Sequence, residues 1–91
     1  MRPISEVEPI VKEVVARHAG VPPHQVHWET TYDELGLIGP SKVSVMAELE
    51  VIFNLVLVPY TDQFDTVGQT IEYISLHAPP QPTSTMTAGE V

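Results

Sequence analysis

The stretch Glu34-Leu35-Gly36-Leu37-Ile38-Gly39-Pro40-Ser41 decides how this chain is read. Upstream of it, Thr31-x-x-Glu34 reads as a capping box, in which hydroxyl and carboxylate each take an orphan backbone amide. Gly36 then offers a C-terminal cap to that short turn. Gly39 is a tolerable N-cap, and Pro40 suits a first helical position, where its missing amide costs nothing. A turn ends here and a helix begins. That helix is read over residues 40–55, with Val43, Met46, Leu49 and Phe53 as its core stripe.

On the N-terminal side a helix is predicted over residues 5–18, with Val7, Ile10, Val11, Val14 and His18 on one face. Ser5-x-x-Glu8 reads as its capping box. Pro9 competes with that start, because it lacks the amide of a regular helical bond, so the alternative start is Pro9 itself. Gly20 and Pro22-Pro23 end this helix. Residues 21–39 form a long loop with Val26, Tyr32, Leu35 and Leu37 turned inward.

On the C-terminal side, residues 56–58 have strand composition, but a lone strand has no partner and is set aside. Residues 61–64 are read as one irregular turn. The last helix is predicted over residues 67–77, capped by Thr66 with Gln69 at the capping-box position. Its buried face is Val67, Ile71, Ile74 and Ala78, and Pro79 stops it. Residues 79–91 lack the apolar content to fold and are expected to be disordered. The fold class is therefore all-α. Residues 1–78 are expected to form one bundle of three main helices plus a short irregular fourth, with a long loop between the first two.

Ninety-one residues suit one domain with one modest core. No run approaches the roughly 20 apolar residues of a membrane helix, and no signal-peptide pattern opens the chain, so the expected residence is cytoplasmic, away from membranes. The absence of cysteine excludes disulfide and thiolate chemistry. A formal charge of −8 repels nucleic-acid phosphates and favours basic partner surfaces.

From Val11 to Ile74 the chain resembles the acyl carrier protein family. Gly20-Val21 followed by Val26 is similar to the family's G-V…V turn. Tyr32-Asp33-Glu34-Leu35-Gly36 is similar to its F-x-E-L-G. Val43, Leu49, Glu50 and Phe53 follow V-x-L-x-x-x-L-E-x-x-F, and Pro59 resembles the I-P after that helix. Thr66-Val67-Gly68…Tyr73-Ile74 resembles the T-V-x…Y-I of the last helix. The segment from Phe53 to Pro59 is one residue longer than the family pattern, and that from Pro59 to Val67 is shorter. In the family, E-L-G-x-D-S-L carries phosphopantetheine on the Ser. Here Ile38-Gly39-Pro40 stands in place of D-S-L, and Gly39 has no oxygen to form a phosphoester. The resemblance thus implies a carrier-like fold without the carrier's arm, and no cofactor.

Ser41 is the alternative phosphopantetheine site. It lies two residues past Gly39, about 200° around a helix axis. It lacks the preceding Asp and following Leu of the family motif, so an ordinary first-turn serine is the expected role. His24 and His27, with His18 and His77 elsewhere, lack the three or four framed ligands of a zinc site, and no metal is expected. No Ser/His/Asp arrangement has a recognisable frame, and no enzyme activity is expected. The pairs Asp33-Glu34 and Glu48/Glu50 read as solvated helix surface.

In carrier proteins the second helix presents acids to basic patches of partner enzymes. The positions resembling those acids are Ser44, Glu50, Val51 and Ile52. At about 100° per residue, Ser44, Glu48 and Val51 fall opposite the core stripe, with Val45 and Ile52 on the flank beside Ser41. The expected partner surface is Ser44, Val45, Glu48, Val51 and Ile52. Trp28, in the loop, either covers helix ends or anchors an interface. The expected function is non-catalytic: an adaptor or scaffold that contacts a biosynthetic enzyme or multienzyme subunit, with a homodimer through the second helix as a further possibility. The alternatives are a working carrier modified at Ser41 and an accessory protein that binds an apolar ligand between its helices.

Overall fold

The computed structural model describes residues 1–79. It is an all-α bundle of three helices: α1 (Ile4–Ala19), α2 (Pro40–Phe53) and α3 (Val67–His77). Two short 3-10 segments, Pro23–Gln25 and Val58–Gln63, lie in the connections. Among the described residues there is no strand, only an isolated antiparallel bridge between Thr31 and Thr66. The predicted disordered segment lies, from residue 80 on, outside the described residues.

Helix α1 starts earlier than either predicted start. The Ser5 capping box does not form: Pro3 occupies the N-cap without a side-chain cap, and Glu8 instead pairs with Lys12 at 2.7 Å. Pro9 lies inside the helix, on its exposed surface, where the carbonyl it leaves unbonded can take water. The start is set by tertiary contacts that local rules do not see. The Arg2 amide donates to the Ser75 carbonyl at 2.8 Å, and the Ser75 hydroxyl donates back to the Arg2 carbonyl at 2.5 Å. The Arg2 guanidinium pairs with Glu6 at 2.8 Å and lies 4.9 Å from the centre of the Phe53 ring. The buried face is Val7, Val11, Val14, Val15 and Ala16, while Ile10 is half-buried and His18 is exposed, contrary to the predicted stripe.

Helix α2 begins at Pro40 as predicted but ends at Phe53, two residues before the expected boundary. Asn54 adopts the left-handed conformation (φ 56°), and its amide caps the Glu50 carbonyl at 2.8 Å. The core stripe is Val45, Met46, Leu49 and Phe53, not Val43, Met46, Leu49 and Phe53. Val43 is 39% exposed and Val45 is 0% exposed. Lys42 sits one turn before Val45 and Met46, half-buried, its ammonium 5.2 Å from the centre of the Tyr32 ring.

Helix α3 has its predicted boundaries, and its Thr66/Gln69 capping box is complete. The Gln69 amide donates to the Thr66 hydroxyl at 3.2 Å, and the Thr66 amide donates to the Gln69 side-chain oxygen at 3.1 Å. The long loop satisfies the next two orphan amides: Val67 donates to the Thr30 carbonyl (2.9 Å) and Gly68 to the Trp28 carbonyl (2.8 Å). The loop is thereby fixed across the start of α3. Val26, Tyr32 and Leu37 are buried beneath it, and Leu35 packs on the core from a half-buried position. The expected 31–36 turn forms, with the Glu34 amide on the Thr31 hydroxyl (3.1 Å) and the Thr31 amide on the Glu34 carboxylate (2.7 Å). The irregular turn expected at residues 61–64 is the longer 3-10 segment Val58–Gln63.

Candidate contact surface

Ser44, Ala47 and Val51 recur at steps of three and four and are all exposed, so they form the outer ridge of α2. Val51 is 83% exposed and Ile52 is 41% exposed. Val43 adds to the apolar area of this helix surface. Val45, expected in the same patch, is removed from it by its burial. Ser44, Val51 and Ile52 thus remain on the surface as expected.

The two acids of α2 are already engaged within the protein. Glu48 accepts two hydrogen bonds from the Arg17 guanidinium, at 3.1 and 2.7 Å, and lies 2.8 Å from His18 Nε2. The hydrogen bonds from Arg17 first, then from His18, hold its carboxyl down at about 2. The Glu50 carboxylate accepts the Leu57 and Val58 amides, each at 2.7 Å, which also lowers its pKa. Glu48 joins α2 to α1, and Glu50 ties the end of α2 to the following segment. Neither acid is free in the way that the sequence suggested, and Glu48 is a structural tie as well as a surface residue. Its partners Arg17 and His18 were not foreseen, because separations of 31 and 30 residues leave no local signal.

Gly39 caps α2 at φ 58° and ψ −132°, a backbone conformation that favours glycine. Nothing lies within 4 Å of where its Cβ would be, so the requirement is one of backbone, not of space. Ser41 is exposed in the first turn of α2, where its amide donates to the Ile38 carbonyl at 3.3 Å. Trp28 packs half-buried on the core, with its indole against Gly68. A side chain at 68 would overlap that ring. Trp28 therefore covers the start of α3, the first of the two roles open to it. His24 and His27 are exposed, and no cluster of three potential metal ligands occurs among the described residues. Among the described residues no helix is long and apolar enough to cross a membrane.

Tyr32 is fully buried, and its hydroxyl lies 2.5 Å from that of Thr70, which is fully buried as well. Burial pushes its phenol up to about 12, against the lowering effect of the Thr70 hydrogen bond. Paired in this way, its hydroxyl is satisfied within the core.

No protein-family model, curated protein or solved structure matches the chain.

Proposed function

We propose that this chain is a non-catalytic, carrier-like contact domain that docks on an enzyme or multienzyme subunit of a biosynthetic assembly through the outer ridge of α2. The observation that supports this most is the exposure of Val51 and Ile52 on a helix whose two acids are bound internally. A surface of this kind suits an apolar contact better than the basic patch that the carrier resemblance implies. Gly39, at the attachment position of that resemblance, supports a domain without an arm.

Intact mass separates this reading from a working carrier. After incubation with coenzyme A and a broad-specificity phosphopantetheinyl transferase, the chain is expected to keep its mass. A gain of one phosphopantetheine that Ser41→Ala abolishes would replace the proposal with the carrier reading.

A further inference from the structure

A second surface lies where Tyr60, in the 3-10 segment, meets Tyr73 and His77 of α3. The Tyr60 and Tyr73 rings are 5.9 Å apart, and the Tyr73 and His77 rings 4.3 Å. Phe64 supports Tyr73 edge-on at 5.4 Å and is itself buried. Tyr60 and His77 are exposed and Tyr73 is half-buried, so three rings line one strip at the surface. This strip is built on the 3-10 segment and α3 and shares no residue with the α2 ridge.

The charge around it is one-sided. All four Lys and Arg residues precede residue 43. Arg2, whose backbone pairs with Ser75 of α3, is buried with its guanidinium on Glu6, Lys12 pairs with Glu8, Arg17 with Glu48, and Lys42 lies over the Tyr32 ring. The 3-10 segment and α3 carry Asp62 and Glu72, both exposed, with Asp65 between the two elements, and no Lys or Arg. Elements that carry acids and no Lys or Arg attract cations and repel phosphates, and they also repel a second copy of a chain of charge −8.

We propose that this strip docks a proline-rich, basic segment of a partner protein. Three neighbouring rings at the surface offer apolar faces on which proline rings stack, and polyproline II returns a residue to the same face at every third position. Prolines at i and i+3 of such a segment stack on the outer rings, while an intervening or flanking Arg or Lys reaches Asp62 or Glu72. A preformed polyproline segment loses little entropy on binding, which suits a shallow strip of rings.

The test is an NMR titration of the full chain with a synthetic decapeptide of repeated prolines bearing two arginines. Saturable shifts centred on Tyr60, Tyr73 and His77 are expected. Replacing both arginines by glutamate is expected to weaken binding about tenfold or more, and added salt to weaken binding of the arginine peptide. Tyr60→Ala and His77→Ala are each expected to cost about tenfold, with Val51→Glu leaving the affinity unchanged. His77→Ala, at the exposed end of α3, keeps the test decisive if Tyr60→Ala fails to fold. No saturable shift, equal binding of the glutamate peptide, or binding indifferent to both ring variants overturns the proposal. So does dimerisation abolished by Tyr60→Ala, which would assign the strip to a second copy. Ring resonances of Tyr73 and His77 that move in the full-length Pro80→Ser/Pro82→Ser variant, without peptide, would assign it to the chain's own end and overturn it likewise.

Discussion

Helix α3 turns Val67, Ile71 and Ile74 inward and leaves Leu76 as its exposed large aliphatic, whereas α2 buries Val45, Met46, Leu49 and Phe53 and still exposes Val43, Val51 and Ile52. Both helices fill their share of the core, but α2 does so with apolar residues left over on its outer surface. The ends differ in the same way. The start of α3 is held by a full capping box and by two loop carbonyls, and that of α2 by glycine conformation and proline alone. In α3 the apolar residues other than Leu76 are buried or packed on the core. In α2 three large apolar residues, Val43, Val51 and Ile52, stay exposed outside the core.

The largest test of this contrast is Phe53→Ala. It removes a fully buried ring shared by α2 and Arg2, and is expected to destabilise the fold by about 3–5 kcal/mol in chemical denaturation. Gly68→Ala comes next. Alanine is the better helix former, yet its methyl meets the Trp28 indole, so a net loss of about 1–3 kcal/mol is expected. A gain in stability would show that Trp28 moves aside freely and does not hold the loop on α3. Thr66→Ala, which removes the capping hydroxyl, is expected to cost about 1 kcal/mol.

The Glu48 tie makes a smaller and pH-dependent contribution. The Arg17 and His18 hydrogen bonds hold its carboxyl down at about 2 in the folded chain, below its ordinary value of 4.5. The unfolded chain therefore binds more protons across that window, and stability rises with pH through it. The contribution is complete above about pH 5 and is lost as pH falls toward 2. Because the group is partly solvated, about 1 kcal/mol or less is expected, seen as a flatter acid limb in the melting temperatures of Glu48→Gln. An unchanged acid limb would remove the tie between α1 and α2 from the account.

The same contrast explains what could be read from the sequence. Helix α3 was legible to its last residue because capping box, apolar period and terminal proline agree. In α2 the start was legible, but the phase was not. Val43 and Val45 are chemically alike and both fit an apolar stripe with Met46, Leu49 and Phe53. The choice between them is made by how α2 packs on the rest of the bundle, which buries Val45 and leaves Val43 outside, and no local rule encodes that packing. The start of α1 was hidden for the same reason, since Arg2 and Ser75 lie 73 residues apart. On the candidate surface, the exposure of Ser44, Val51 and Ile52 was legible. The internal engagement of Glu48 and Glu50 was not, since their partners come from α1 and from the turn after α2.

The outer ridge of α2 is tested most directly by Val51→Glu, followed by melting and by pull-down from the native host beside the unaltered chain. The melting free energy is expected to change by no more than about 0.5 kcal/mol, while a partner retained by the unaltered chain is lost, because the new charge would be desolvated in the contact. Unfolding of the variant would contradict the exposure of Val51, and a folded variant that keeps every partner would contradict the assignment of α2 as the contact surface.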